Sequence, residues 1–390
     1  MNAPKLRFET FKKEWNETTL GDLLSFNNGI NADKNSYGHG RKFINVLDIL
    51  NNNFIKYSEI IGLVSVSSKM EESNKVEYGD LLFLRSSETR DDVGKSSVYL
   101  DENEFALFGG FVIRGKKQAD YHPYFLKLNL ESPNVRNQIG TKAGGSTRFN
   151  VSQSILSSVE LKMPSKDEQS KIAEFFSTLD LKIQKQQVKI SLLNKQKKGY
   201  IQQIFNQNQN GWSLFELGDL FEERSERGYE EYQLLAVTLG KGVTDRTGMK
   251  KDTSSEDKSS YKRVLPDDIA YNSMRMWQGA SGHSIFKGIV SPAYTVLKPR
   301  EQVYSLFFAY LFKTDFMLYQ FKKYSQGLTS DTWNLKYPLL KDIKVKVPSY
   351  EEQKKIASLF SKLDSKIQLE TKKLGILQEQ KKAFMQQMFI

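Results

Sequence analysis

Two pairs of loop-like stretches carry the side chains best suited to grip a base edge or a phosphate. The first, Arg85-Ser86-Ser87-Glu88-Thr89-Arg90 running on to Gly94-Lys95-Ser96, follows a short β-like run. Its counterpart in the second half is Asn272-Ser273-Met274-Arg275-Met276-Trp277-Gln278-Gly279. The other is Gly144-Gly145-Ser146-Thr147-Arg148-Phe149-Asn150, matched at an offset of 184 by Leu328-Thr329-Ser330-Asp331-Thr332-Trp333-Asn334. There Ser146 aligns with Ser330, Phe149 with Trp333 and Asn150 with Asn334. A further stretch, Lys241-Gly242 through Arg246, has no clear partner. Arginine can grip a guanine edge with two bonds, and Asn or Gln an adenine edge, each worth about 1–3 kcal/mol of discrimination. Ser and Thr hydroxyls and glycine-rich backbone N–H groups suit phosphates, which position a duplex without reading it. The candidate nucleic-acid contacts are Arg85, Ser86, Thr89, Arg90, Lys95, Lys142, Ser146, Thr147, Arg148, Asn150, Lys241, Arg246, Arg275, Trp277, Gln278, Thr329, Ser330, Trp333 and Asn334. Taken singly, each also suits an ordinary solvated loop. Phe149 and Trp333 fit packing as well as stacking on a base, and Asn150 and Asn334 fit a turn.

Other chemistry is missing. Gly94-Lys95-Ser96 ends like a phosphate-binding loop, but Thr89 stands where its first glycine is needed. There is no Gly-x-Gly-x-x-Gly fingerprint, and no Pro-Pro pair from which the Asp/Asn-Pro-Pro-aromatic motif of adenine methyltransferases could be built. Pro266-Asp267-Asp268 faintly suggests a nuclease acidic pair, but a turn before a strand at Ile269 explains it equally. With no cysteine, disulfides and thiolate zinc sites are excluded, and His39, His122 and His283 are scattered. The chain reads as non-catalytic, with no metal site.

The elements that must position these loops are written twice. Met163 to Phe205 recurs at Val347 to Phe389 without a gap, and 22 of the 43 paired positions are identical. Internal repeats set architecture. Ser165 with Glu168, and Ser349 with Glu352, fit a Ser-x-x-Glu capping box opening a helix. Apolar residues then recur at spacings of four and three: Ile172, Phe176, Leu179, Ile183, Ile190 and Leu193 in one copy, and Ile356, Phe360, Leu363, Ile367, Leu374 and Leu377 in the other. That is a coiled-coil seam, interrupted by Gln186 and Lys197 and by the matching Glu370 and Lys381. About 40 helical residues span roughly 60 Å. Neither helix can bury its stripe alone, so an antiparallel intramolecular pair is expected; pairing with some other chain is the alternative.

Each copy follows a long, dissimilar segment. Both segments open with Trp and Leu-Gly-Asp-Leu, at Trp15 with Leu20-Gly21-Asp22-Leu23 and at Trp212 with Leu217-Gly218-Asp219-Leu220. Strand-like runs at Asp80 to Leu84, Phe111 to Arg114, Asp268 to Tyr271 and Tyr294 to Leu297 alternate with polar loops. Helical pieces are expected near Tyr124 to Leu130 and Tyr304 to Tyr319, and an exposed linker at Asn206 to Gly211. The fold class is mixed α/β: two small α/β domains with two long helices, related by a pseudo-twofold. The divisions are 1–163 with an N-terminal arm, 164–206, 207–347 and 348–390.

Net charge is +11, which favours a polyanionic partner, but the stretches 164–211 and 348–390 hold +7 of it. The two domains are therefore close to neutral and must act through local loops. No apolar run is long enough to span a membrane, and no signal peptide is evident, which suits a cytoplasmic protein.

The order domain, Pro-Ser-x-x-Glu-Gln helix, domain, Pro-Ser-x-x-Glu-Gln helix, with its Trp…Leu-Gly-Asp openings, resembles the specificity subunits of type I restriction–modification systems over nearly the full length. Gly79-Asp80-Leu81-Leu82-Phe83-Leu84-Arg85-Ser86 with Gly94-Lys95, and Tyr271-Asn272 through Gly279 with Gly288-Ile289-Val290-Ser291-Pro292-Ala293-Tyr294, add to the resemblance. It implies two target recognition domains, each reading half of a bipartite, asymmetric site in double-stranded DNA. It implies helices that set the spacer and dock two modification subunits. It also implies restriction subunits, in a complex that uses S-adenosylmethionine, ATP and Mg while this chain binds no cofactor. A modification-only complex is the alternative, and a coiled-coil scaffold without a DNA role is the remote one. The linker before Trp212 is shorter than is common in the family, a departure that bears on how the N-terminal arm packs near the second domain.

Overall fold

The computed structural model describes residues 3–207, 209–240, 242–246 and 257–390. They form two compact units, Met1–Gln186 with Lys373–Ile390, and Gln187–Lys372. The units cut across the four segments expected from sequence, because each takes in one end of each long helix.

Those helices are Lys166–Gln202, prolonged by a π-helical turn at Gln203–Gln207, and Tyr350–Met388. The π turn carries helix into the stretch expected to be linker. In the first unit the start of the central helix lies against the end of the C-terminal helix. Ile172, Phe176, Met385, Met388 and Phe389 share one core. In the second unit the end of the central helix lies against the start of the C-terminal one, with Phe205, Ile356 and Phe360 in one core. The pairing is thus intramolecular and antiparallel. Ile172, Phe176, Leu179, Leu193, Ile356 and Phe360 are buried, while Ile183, Ile190, Leu363, Ile367, Leu374 and Leu377 are half-buried. A seam between only two helices leaves its flanks open to water.

Three of the polar residues in the seam, Lys197, Glu370 and Lys381, are paired across it. In the second unit Lys189 meets Glu370 at 2.8 Å and Lys197 meets Asp364 at 2.5 Å. In the first unit Lys381 meets Asp180 at 2.7 Å. Asp180 also accepts from Tyr124 of its domain, and Asp364 from Tyr310 at 2.8 Å, so the same Lys-Asp-Tyr arrangement occurs twice.

Each domain is closed by a ribbon of its first and last strands. Asn16–Thr19 pairs antiparallel with Glu160–Met163, and Ser213–Glu216 with Lys344–Val347. The ribbon delivers the chain directly into the long helix. The Leu-Gly-Asp-Leu signature is a short helical turn after the first strand, in which Asp22 accepts from the Thr19 N–H at 2.8 Å. Its glycine allows close approach, since a Cβ on Gly21 would meet the Ser157 carbonyl at 3.0 Å.

The main sheet of the first unit runs Leu24–Asn28, Val112–Lys117, Leu81–Leu84, Ser96–Tyr99, Phe54–Ile55, antiparallel except for its last pair. That of the second unit is smaller: Phe221–Glu223, Tyr294–Pro299, Ile269–Asn272, Ser281–His283. The four expected strand runs are central in these sheets. One expected helix, Tyr304 to Tyr319, is two helices, Ser305–Leu311 and Asp315–Tyr324. The break is local: the Thr314 hydroxyl caps the second by accepting from the Met317 N–H.

The capping boxes form only in part. Ser165 and Ser349 accept from the Glu168 and Glu352 N–H groups at 3.4 Å, but the glutamates do not complete the box. Glu168 binds Arg7 through both oxygens at 2.7 Å, and Glu352 accepts from the Trp212 indole at 3.4 Å. The N-terminal arm therefore packs on the first unit, where the Leu6 N–H also donates to the Gln387 carbonyl. The repeated glutamine takes the anchoring role. Gln169 accepts from the His122 N–H and donates to the Pro164 carbonyl, and Gln353 does the same with Tyr304 and Pro348.

Candidate nucleic-acid interface

In each unit the strand that centres the sheet ends in one candidate loop, and the chain just before the closing ribbon folds the other against it. In the first unit Ser86–Ser87 pairs with Phe149–Asn150, and the Val151 N–H donates to the Arg85 carbonyl at 3.0 Å. In the second, the Leu335 N–H donates to the Ser273 carbonyl at 2.9 Å, and Trp277 meets Trp333 edge to face at 5.2 Å. Sequence alone did not join these loops.

The second loop of each pair is a hairpin closed by reciprocal backbone bonds. Gly144 pairs with Asn150 in one and Gln326 with Asn334 in the other. The constant offset therefore fails inside this loop, and the second hairpin is two residues longer. Gly145 is required in the first: its φ is +110° and a Cβ there would meet the Arg148 carbonyl at 2.1 Å.

On the first unit Ser146, Thr147 and Arg148 are exposed at the hairpin tip. The Asn150 amide donates to the Arg148 carbonyl at 3.1 Å, so that side chain shapes the turn. Arg90 lies over the Phe149 ring at 4.8 Å, and the Arg85 guanidinium donates to the Gly110 carbonyl at 3.3 Å. Thr89 and Lys95 converge on Asp92, whose carboxyl they hold below its ordinary range through the Lys95 and then the Thr89 hydrogen bond. Lys142 donates to the Ser158 carbonyl at 2.7 Å. These three residues brace loops as placed. Lys95-Ser96 leads into a strand rather than a helix, so no phosphate-binding loop forms.

On the second unit Arg275, Gln278, Thr329 and Ser330 are exposed, and Trp277 and Trp333 half-buried. The Trp277 indole donates to the Met274 carbonyl at 3.2 Å, and Lys322 lies over Trp333 at 5.3 Å. The Asn334 side-chain oxygen is buried without a partner among the described residues. The ribbon Leu235–Thr238 with Gly242–Asp245 ends beside a half-buried Arg246; Lys241 lies outside the described residues.

Sequence reading missed Lys313. Its ammonium donates to the Gly279 carbonyl and, at 3.4 Å, to the Leu239 carbonyl, tying the Arg275 loop to the ribbon. Burial pushes it down to about 8. The signal available was a lone lysine ending the apolar run Leu306–Phe312. The faint acidic pair resolves as a turn. Asp267 has φ +68°, and buried Asp268 pairs with Arg224 at 2.7 Å and accepts from the Leu265 N–H. Among the described residues there is no group of metal-ligating side chains, and no helix is long and apolar enough to cross a membrane.

Two like units, each presenting a braced pair of polar and aromatic loops at the end of its sheet, define a recognition subunit built on an internal repeat. A family model described as the type I restriction modification DNA specificity domain matches residues 12–194 and 209–379, and the chain belongs to that family. Each match takes in one domain and most of the helix after it. The chain is 22% identical to the provisionally assigned type I restriction enzyme MjaX specificity subunit of Methanocaldococcus jannaschii, over 98% of this chain and 95% of that one. It is 23% identical to the MjaVIII specificity subunit of the same organism, over 67% of each. Its fold is similar to the S subunit of a type I system from M. genitalium (TM-score 0.63, 18% identity, 100% and 99% of the two chains). A chain from a study of type I complex assembly and conformational transition gives a TM-score of 0.55 at 13% identity, over 95% and 96%. The chain is a specificity subunit with two target recognition domains: a DNA-recognition subunit, not a catalytic one.

Proposed function

We propose that each unit reads one half of a bipartite, asymmetric DNA site, that the helix pair fixes the spacer, and that the helices dock two modification subunits. The observation that carries this reading is one frame repeated with two different loop pairs. Equal frames suit two equivalent docking events, and unequal loops suit an asymmetric target. The assembled complex would draw S-adenosylmethionine through its modification subunits to methylate adenine. Restriction subunits would add ATP and Mg chemistry in the cytoplasm; a modification-only complex would lack them. This chain itself would hold no cofactor.

The test is single-molecule sequencing of methylated adenines in DNA from cells carrying the chain with its modification subunit. Two short defined halves around a fixed gap are expected, and a continuous motif would refute the reading. Arg148→Ala and Arg275→Ala should each relax one half only, by about 1–3 kcal/mol at the base concerned. A heptad inserted after Ile183, matched after Leu377 on the facing helix, should lengthen the gap, and an unchanged gap would remove the ruler role. Because the domains are nearly neutral, the isolated subunit should bind DNA with a shallower salt dependence than the complex. Equal slopes would contradict this, since the slope counts neutralised phosphates.

A further inference from the structure

The two hairpin tips carry different chemistry. The first offers Ser146, Thr147 and Arg148, which suit a phosphate or a guanine edge. The second also exposes two hydroxyls, Thr329 and Ser330, but in place of an arginine it sets Leu328 and Asp331 on either side of them. Leu328 is fully exposed, at 101%. A lone exposed leucine is ordinary on a protein surface, but this one stands on a braced turn. Gly327 has φ +143°, and a Cβ there would strike the Thr332 backbone at 2.7 Å. The Thr332 hydroxyl donates to the Thr329 carbonyl at 3.0 Å and accepts from the Thr329 N–H at 3.1 Å.

Charge decides what this tip can meet on a duplex. The Asp331 carboxylate repels phosphate, and Leu328 offers phosphate nothing. Lys322, in the last turn of Asp315–Tyr324, lies over Trp333 at the base of the hairpin. A hairpin with a cation at its base and a leucine and a carboxylate flanking the hydroxyls at its tip suits reaching past phosphates into a groove. Among the base edges there, the thymine 5-methyl is the apolar feature, and it lies in the major groove.

We propose that Leu328 reads a thymine methyl group in the half-site bound by the second unit. This rests on the reading of each unit as a half-site reader. The test uses the complex of the full chain with its modification subunits and duplexes carrying the motif found by methylation sequencing. Thymines are replaced by uracil, which removes only the methyl, in one half at a time. The second unit's half is the one relaxed by Arg275→Ala. Uracil there should weaken binding about fourfold per contacted methyl. Leu328→Ala, at an exposed position, should bind thymine and uracil duplexes alike. A half-site without thymine, indifference of the unaltered complex to uracil, or a penalty that persists in Leu328→Ala would each overturn the proposal. Failure of the underlying reading is distinct, because no split methylation motif would then exist.

Discussion

In the first unit the Trp15 ring meets Phe125 at 5.9 Å and Phe389 at 6.3 Å; in the second, Trp212 meets Phe307 at 5.9 Å and Phe205 at 6.2 Å. Phe176 and Phe360 complete the two clusters, against Phe389 at 5.9 Å and Phe205 at 5.8 Å. These anchors tie domain to helix in both units, and the repeat supplies them in both. The tips, by contrast, differ in length, charge and polarity. Holding a helix end is one packing problem with one good answer, whereas reading a base has as many answers as there are targets. The units therefore agree where geometry must be shared and differ where information is stored.

The largest effects should fall on the shared part and be equal. Phe176→Ala and Phe360→Ala each remove a fully buried ring and should cost about 3–5 kcal/mol. Urea denaturation of the full chain would measure both. A difference above about 2 kcal/mol would mean that the two anchors are not equivalent.

The next comparison should come out unequal. Asp180 takes Lys381 and Tyr124, and also the Asn53 amide at 3.4 Å. Asn53 in turn accepts from Lys127 at 2.9 Å, and burial holds that lysine's ammonium below its ordinary value. Among the described residues Asp364 takes Lys197 and Tyr310, and it is more open, its side chain 43% exposed against 15% for Asp180. Asp180→Asn strands a partly buried network and should cost about 2–3 kcal/mol, below the range for a fully buried pair. Asp364→Asn should cost about 1 kcal/mol or less. Equal losses by denaturation would show that the extra partners contribute nothing.

How much of this was legible in the sequence depends on range. Helix starts, the seam and the central strands follow from local pattern and were readable. So were the residue types in the loops. Ser165 looked like half of a capping box because Glu168 stands three residues on; nothing local reveals that Arg7, 161 residues away, takes that carboxylate. Lys313 looked like one more surface lysine, since its burial is imposed by Gly279 and Leu239 from other elements. The fixed offset of 184 misaligned the hairpins, because only backbone pairing shows where a loop closes.

Lys313 gives the comparison a pH axis, because the first unit's Lys127 sits on Glu131 instead of on loop carbonyls. The folded Lys313 titrates at about 8 against an ordinary 10.5. Below pH 8 both folded and unfolded chains hold the proton, and the burial cost is present in full. Between 8 and 10.5 the unfolded chain binds more protons, so stability should rise with pH. A rise of order 1–2 kcal/mol is expected relative to Lys313→Met, which lacks the group. Parallel pH profiles for the two proteins would show that the ammonium is not held down.

The smallest effects should come from the helix starts, where the units hold the same serine in different company. Ser165→Ala and Ser349→Ala each remove one hydroxyl that accepts from the N–H three residues on, a loss of about 1 kcal/mol. If the hydroxyl alone fixes the first turn, the two losses should match. If the arm shares the task, Ser165→Ala should be the milder, because Arg7 still clamps Glu168 through both oxygens. The single Trp212 bond to Glu352, at 3.4 Å, gives the second helix weaker insurance. We expect the milder loss at Ser165, and expect Arg7→Ala to bring the two into line. A match before that change would remove the arm from the account of helix initiation and leave its contact with Gln387 as its hold on the C-terminal helix.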